Sequence, residues 1–217
     1  MPDLDFKVTG IAPAAHGFAP LLSFQVEITN TPATETIHSV MLQAQIQLQV
    51  TQRRYTATEK EKLAELFGPP EQWRDTLRTR LWTLANTTVP AFTGSTIATL
   101  TIPCTFDLDV AATKYFYALD DGDIPLLFLF SGTVFYEAAD GRLQVQQVSW
   151  KKECAYKMPV RAWHDLMDYH YPDIAWLTLS RATFERLYDY RRAHGLATWD
   201  RALEQLLPAL EPTEAPV

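Results

Sequence analysis

The stretch Leu42-Gln43-Ala44-Gln45-Ile46-Gln47-Leu48-Gln49-Val50 decides the fold class, because apolar and polar side chains alternate along its whole length. A period of two residues is typical of a β-strand with one buried face. The segment from Leu22 to Thr29 alternates in the same way, and the turn residues of 30–34 separate the two segments. The sequence therefore predicts antiparallel strands that cover a core with one face.

Further strands are predicted on both sides of this pair, at 4–9, 80–89, 96–103 and 143–158. In the last of these the apolar parity changes at Gln146-Gln147, as a β-bulge would make it do. The most apolar run, Ile124 to Tyr136, predicts a strand that is covered on both faces and bends at Gly132.

Helical spacing appears in an insertion near 58–78 and again around 110–119. Thr58 is predicted to cap the first of these helices, with Glu61 at the capping-box position, and Asp109 is predicted to cap the second. From Pro159 onward the apolar period becomes 3.6, which predicts helices that begin at Pro159, after Ser180 and after Thr198.

These patterns predict an α+β fold: an antiparallel, β-sandwich-like sheet with a helical insertion and a C-terminal helical segment. The β-rich region would comprise residues 1–158, and the helices of 159–210 would pack on it as part of one domain. Residues 211–217 are expected to form a frayed tail.

Composition excludes several classes of protein. The 217 residues carry a formal charge of −7, which argues against a general binder of nucleic acid or of anionic membranes. The N-terminus has no signal-peptide pattern and no apolar run is long enough to cross a membrane, so we expect a cytoplasmic protein with both cysteines reduced. Single, scattered glycines form no phosphate-binding loop, and no cofactor is predicted.

The acidic residues are concentrated in 104–141, which contain seven acids and one base. Carboxylates of this segment could coordinate calcium or act as a hydrolytic pair; the candidates are Asp107, Asp109, Asp120, Asp121 and Asp123. Their spacing fits neither an EF-hand loop nor a known pair, so turn and cap roles are favoured. His164 and Asp168, four residues apart on a predicted helix, are a second weak metal candidate, and a solvated helix face is favoured there.

No nucleophile is predicted. Cys104 and Cys154 lie at strand-like positions, where a free cysteine is more often a small buried apolar residue than a catalytic group. Ser131 lacks the glycines of a nucleophile elbow. The sequence thus shows no recognised catalytic motif.

Two surfaces are candidates for binding another protein. The row Gln43, Gln45, Gln47 and Gln49 must face away from the core if the alternate residues are buried, and Gln144, Gln146 and Gln147 could extend it. A merely solvated face is the competing interpretation. The second surface is the aromatic-rich C-terminal region, where Arg186, Arg191 and Arg192 accompany Trp and Tyr residues of the kind enriched at interface hot spots.

Several strings resemble one bacterial family known as a domain of unknown function, and the resemblance extends from end to end. They are Arg53-Arg54-Tyr55, Leu81-Trp82-Thr83, Val89 to Gly94, Lys114 to Gly122, Ile124 to Phe135 and Thr198-Trp199. Members of this family are often encoded near subunits of a [NiFe]-hydrogenase, so the resemblance implies an accessory or partner role. It supplies no catalytic residues.

We therefore expect a non-enzymatic accessory protein that binds another protein, plausibly a hydrogenase-related redox enzyme or its maturation machinery. The alternative is a domain that binds a small ligand or metal, with a possible hydrolytic activity, through the acidic 107–123 segment.

Overall fold

The structure is a computed structural model that describes residues 1–13, 18–105, 110–138 and 140–207. The chain divides into two compact units, Met1–Asp173 and Ile174–Val217. Within the described residues no helix is long and apolar enough to span a membrane.

Strands dominate the first unit. Their bounds are β1 (Asp3–Pro13), β2 (Leu21–Thr31), β3 (Thr36–Leu48), β4 (Arg80–Val89), β5 (Phe92–Thr93), β6 (Ser95–Pro103), β7 (Asp123–Glu137), β8 (Leu143–Gln147) and β9 (Glu153–Pro159). The helices are α1 (Ala57–Phe67), α2 (Trp73–Thr76), α3 (Val110–Ala118) and α4 (Val160–His170), followed in the second unit by α5 (Arg181–Ala193) and α6 (Trp199–Leu206).

The strands form two antiparallel sheets. One has three strands in the order β1-β2-β6. The other has six: β4, β3 and β7 are neighbours, β5 pairs with β3, and both β8 and β9 pair with β7. The predicted α+β, sandwich-like fold is confirmed.

Aromatic rings join the two sheets across the core. The ring of Phe24 on β2 meets that of Phe128 on β7 edge to face, with centroids 5.2 Å apart, and Phe6 on β1 stacks on Phe130 at 4.5 Å. Both arrangements are favourable for aromatic pairs. The strands alternate as predicted, and the side chains of their buried faces fill the space between the sheets.

The start of α1 differs from the prediction by two residues. Thr56, rather than Thr58, is the N-cap, and Glu59, rather than Glu61, completes the capping box. Both pairs fit the same Thr-x-x-Glu pattern, so sequence spacing does not separate them. The side chain of Glu59 is buried against Arg53, and this tertiary contact selects the earlier cap.

The predicted strand over 143–158 is two strands, β8 and β9, with 148–152 between them. Both pair with β7 on the same side, but six residue steps from Gln147 to Glu153 oppose only four steps of β7, from Leu129 to Thr133. The irregularity predicted at Gln146-Gln147 is therefore larger than a one-residue bulge. Backbone bonds from Val148 to Gly132 and from Phe130 to Lys152 close the loop at its two ends.

The C-terminal helices begin where the sequence predicts. Ser180 and Thr198 cap α5 and α6, with side-chain oxygens that accept from Thr183 N at 3.2 Å and Arg201 N at 3.3 Å. Trp163, Leu166 and Met167 of α4 are buried in the first unit. The boundary that we predicted at 158/159 and the single-domain organisation stay predictions.

Candidate functional site

The glutamine row lies on the outer face of the six-stranded sheet. Gln43, Gln45 and Gln47 alternate along β3 with buried Leu42, Ala44, Ile46 and Leu48, so their amides point away from the core. Gln49 follows the end of β3, and its Oε1 accepts hydrogen bonds from Gln52 and Thr79. The predicted outward direction of the row is therefore present in the fold.

The strand register shows which side chains surround the glutamines. From Met41 to Gln47, each outward residue of β3 lies between one residue of β4 and one of β7. The four rows are Thr88, Met41, Thr133; Asn86, Gln43, Ser131; Leu84, Gln45, Leu129; and Leu81, Gln47, Leu127. We call these twelve residues the glutamine face, and none of them carries a charge.

Polar and apolar positions of this face behave differently. The Gln43 amide donates to Asn86 Oδ1 at 3.0 Å and accepts from Ser131 Oγ at 3.5 Å, which links three strands across one row. On the rows beside it, the apolar side chains are open to solvent: Met41 is 59% exposed and Leu84 is 52% exposed. The glutamine face thus combines a fixed amide row with exposed apolar side chains.

The predicted extension of this face onto β8 is only partly present. Gln147 pairs with Thr133, and its Nε2 donates to Thr133 Oγ1 at 3.1 Å, so it continues the glutamine face. Gln146 pairs with the buried Val134, so its side chain lies on the other face of the sheet. Gln144, two residues before it, lies on that same face. The register of β8 is regular, so the adjacent residues Gln146 and Gln147 face opposite sides of the sheet.

The described aspartates of the acidic segment point to different partners. Asp120 accepts from Lys62 Nζ at 2.6 Å, and Asp121 lies 3.9 Å from Arg161. Burial and then Asp123 raise the pKa of Tyr156. The other two candidates, Asp107 and Asp109, lie outside the described residues, as does the cap predicted at Asp109. Across the described part of the chain, no three His, Cys, Asp or Glu side chains are grouped to hold a metal ion.

A buried ion pair that the sequence analysis missed organises this acidic turn. Arg53 Nη2 lies 2.7 Å from Glu59 Oε1, with side chains only 7% and 1% exposed. The Arg53 guanidinium also donates to the backbone oxygens of Asp121 and Asp123, and Glu59 Oε1 accepts from the backbone N–H of Asp120 at 3.1 Å. The turn is thus bound to α1 through its backbone. The sequence signal for this ion pair was the Arg53-Arg54 dipeptide, whose first arginine lies six residues before Glu59.

His164 and Asp168 both face α3. The ring Nε2 of His164 lies 3.1 Å from the Phe116 carbonyl oxygen, to which it donates. Burial and then the nearby Asp168 carboxylate raise the pKa of Tyr117. Both side chains therefore have partners in the packing of α4 on α3.

Of the two cysteines, Cys104 is buried and Cys154 is half-buried. Burial raises the pKa of the Cys104 thiol to about 12, so it stays protonated near neutral pH. Cys154 Sγ accepts from Val8 N at 3.4 Å, which joins β9 to β1.

In the second unit, Arg191 lies over the Trp199 ring at 4.2 Å and near the Tyr188 ring at 5.4 Å. This cation–π contact fixes α5 against α6. Arg186 and Arg192 are exposed on α5. Of the three predicted partner-binding arginines, one therefore has a structural partner within the unit.

Comparisons with known proteins show a family and a structural likeness. Residues 1–215 match a family described as a family of unknown function, DUF6084. No curated protein matches the sequence. The solution structure of a candidate late embryogenesis abundant (LEA) protein is similar at 16% identity and a TM-score of 0.31, over 73% of this chain and 72% of that chain.

Proposed function

Since the chain belongs to the DUF6084 family of unknown function, we propose a role from its own surface: it is a non-enzymatic, cytoplasmic accessory protein that binds another protein through the glutamine face. The partner that we propose is a hydrogenase-related redox enzyme or its maturation machinery. The partner class rests on the family resemblance, and the binding surface rests on the geometry of the six-stranded sheet.

The observation that carries the proposal is the absence of charge from twelve contiguous positions of the glutamine face. Depletion of charged side chains is the compositional mark of the centre of a protein interface. Charged residues form 21% of this chain, yet they stay outside these four rows. A face that only had to stay solvated would gain solubility from Lys or Glu at such positions.

Exposed apolar side chains add a source of binding energy. Leu81 and Leu84 on β4 are 54% and 52% exposed, and they lie beside the amides of Gln47 and Gln45. Burying apolar surface stabilises a complex by about 25 cal/mol per Å² before the costs of association. The neighbouring amides can supply hydrogen bonds that fix the register of the partner.

The size of the face suits the centre of an interface. Strands about 4.8 Å apart and rows about 6.8 Å apart give a patch of about 10 by 20 Å. A stable interface takes about 800 Å² from each partner. A partner that covers the glutamine face would therefore also cover its rim, including Gln147 and Val145 of β8.

Site-specific photo-crosslinking in cells of the source organism tests this proposal. A photoreactive phenylalanine analogue at Gln45 is expected to crosslink a subunit or maturation protein of a redox enzyme, which mass spectrometry identifies. The same analogue at Thr99, which is exposed on β6 of the other sheet, serves as the control position. Leu84→Lys is expected to abolish the crosslink, whereas Ile97→Lys, at a comparably exposed apolar residue of β6, is expected to leave it unchanged.

Two results would contradict the proposal in different ways. Equal crosslinking from both positions, or none at Gln45, would show that the glutamine face is not a binding surface. A specific partner unrelated to redox enzymes would retain the surface and overturn the partner class. The alternative function, a ligand or metal site in the 107–123 segment, is separated from this one by the calcium experiment described in the Discussion.

A further inference from the structure

A cleft of about 540 Å³ lies beside the start of α1, and none of its lining residues belongs to the glutamine face. Its lining residues are Val50, Thr51, Arg53, Arg54, Tyr55, Lys60, Trp73, Arg74 and Leu77. Sites for small molecules usually have volumes of about 300–1,000 Å³. The cleft is therefore large enough for a small ligand.

All the charges that line the cleft are positive. Arg53, Arg54, Lys60 and Arg74 contribute four cations, and no acidic residue is among the lining residues. The whole chain carries a formal charge of −7. The cleft is therefore a local cluster of four cations on a protein whose net charge repels anions in general.

Three of these cations have no counter-ion. Within the described residues, no hydrogen bond or ion pair joins the side chains of Arg54, Lys60 or Arg74 to another residue, although other surface cations such as Lys62 and Lys152 are paired. Mutual repulsion of adjacent like charges is unfavourable. A multivalent anion in the cleft would remove that repulsion.

The fourth cation, Arg53, is buried and has one donor without a partner in the part of the chain that the structure describes. The Arg53 side chain is 7% exposed, and its Nη atoms are held by Glu59 and by backbone oxygens of the acidic turn. Its Nε is buried and has no hydrogen-bond partner among the described residues. A buried donor without a partner is costly, so such groups usually have a ligand or water partner in the working protein.

The floor of the cleft is rigid. The Tyr55 hydroxyl donates to the Val50 carbonyl oxygen at 2.7 Å, and Trp73 Nε1 donates to the Gly68 carbonyl oxygen at 2.8 Å. The two rings meet edge to face with centroids 5.4 Å apart. The Tyr55 and Trp73 rings are thus fixed in the cleft, and such preorganisation favours binding.

We propose that this cleft binds a small molecule through a diphosphate group. Arginine matches phosphate oxygens with paired, charge-assisted hydrogen bonds. A single phosphate monoester carries a charge of about −1.5 to −2 at pH 7, so two linked phosphates balance three unpaired cations better than one phosphate or one carboxylate does. Arg54, Lys60 and Arg74 contact the diphosphate oxygens, and Arg53 adds positive charge to the lining of the cleft.

Isothermal titration calorimetry with inorganic pyrophosphate in metal-free buffer tests the proposal. The expected result is saturable binding of one pyrophosphate per chain, with an affinity that falls as salt is raised. Arg54→Gln combined with Arg74→Gln is expected to weaken binding at least about tenfold. The two residues are exposed and unpaired, so the fold is expected to persist.

Arg142→Gln combined with Arg181→Gln is the matched control, because it removes the same charge from residues that are 79% and 92% exposed and lie outside the cleft. This control is expected to bind pyrophosphate as the wild type does. Equal losses in both double variants, or no saturable binding to the wild type, would overturn the proposal. Citrate that binds as tightly as pyrophosphate would overturn the choice of phosphate.

Discussion

At the scale of single residues, Arg53 and Glu59 connect three features that are separate in the sequence. Their buried ion pair fixes the cap of α1 and holds the turn at 120–123, and Arg53 also lines the basic cleft. A buried charge that loses its partner is strongly destabilising, because the remaining charge stays out of water. A change at this pair would therefore affect α1, the turn and the cleft together.

Glu59→Gln is predicted to lower the free energy of unfolding by about 3 kcal/mol at neutral pH, because it leaves Arg53 buried without a counter-charge. Burial alone would raise the pKa of Glu59, but the Thr56 N–H, Arg53 and the Asp120 N–H outweigh it and lower this pKa. The ionised carboxylate thus stabilises the fold above its unfolded-state pKa of about 4.3, and this stabilisation is lost as the pH falls through the lower folded-state value.

Urea titrations across a pH series measure this difference. We expect the gap between wild type and Glu59→Gln to be constant near neutrality and to shrink as the solution becomes more acidic than about pH 4. Glu61→Gln, at an exposed position of the same helix, is the control and is expected to change little at any pH. A gap that stays the same in acid would contradict the role assigned to the Glu59 charge.

Gly132 is a second residue on which the fold depends. Its φ is 148°, and a Cβ placed there would lie 2.2 Å from the Met41 carbonyl oxygen of β3. Gly132→Ala is predicted to lower the free energy of unfolding by about 3 kcal/mol or more, since two central strands must separate. Gly10→Ala, where nothing lies within 4 Å of the added Cβ, is expected to cost less than about 1 kcal/mol in the same denaturation experiment.

At the scale of elements, the position of the N-cap distinguishes two starts of α1 that the sequence allows, Thr56 and Thr58. Thr56→Ala is predicted to reduce stability by about 1 kcal/mol, because Thr56 accepts from the Glu59 N–H. Thr58→Ala, one residue inside α1, is predicted to change stability by less than about 0.5 kcal/mol. Chemical denaturation of the two variants measures both values. A larger loss for Thr58→Ala would mean that the helix begins later.

Element patterns were predictable where a local signal decides them. The alternation along β2 and β3 depends only on neighbouring residues, and so do the caps at Ser180 and Thr198. Both predictions agree with the structure. The choice between Thr56 and Thr58 depends on Arg53, and the break between β8 and β9 depends on how β7 bonds to each. Tertiary contacts of this kind leave no periodic trace in the chain.

The same distinction holds for the candidate surfaces. The direction of Gln43, Gln45 and Gln47 follows from alternation alone. Their neighbours Leu84 and Ser131 could be identified only from the register, which joins residues about 40 and 90 positions apart. The basic cleft likewise assembles Arg53, Arg54 and Lys60 with Arg74 from beyond the end of α1, and a sequence scan does not group them.

At the scale of the whole molecule, the compact unit Met1–Asp173 predicts where the chain can be cut. A chain of residues 1–173 is expected to unfold cooperatively, because it retains the buried side chains of α4, including Trp163 and Leu166. A chain of residues 1–158 lacks α4 and is expected to aggregate or bind hydrophobic dyes. Circular dichroism and dye binding distinguish them, and equal behaviour of the two chains would contradict a boundary after α4.

Calcium is predicted to leave the melting temperature unchanged at constant ionic strength. Asp120 is paired with Lys62, and Asp121 and Asp123 face other groups, so the described aspartates are not arranged around one cation. A specific ligand at 100 times its dissociation constant would add about 2.7 kcal/mol to stability. A saturable rise in melting temperature that Asp121→Asn removes would favour the alternative function in the acidic segment.

The loop at 148–152 has a consequence for how this protein meets other chains. On the side of β7 opposite β3 lie two short strands, β8 and β9, and the loop between them carries the exposed side chains of Trp150 and Lys151. A long, flat sheet edge invites the strand of another molecule to add to it, and short strands, irregularities and lysines prevent this. This edge is thereby protected against edge-to-edge aggregation while the glutamine face stays open.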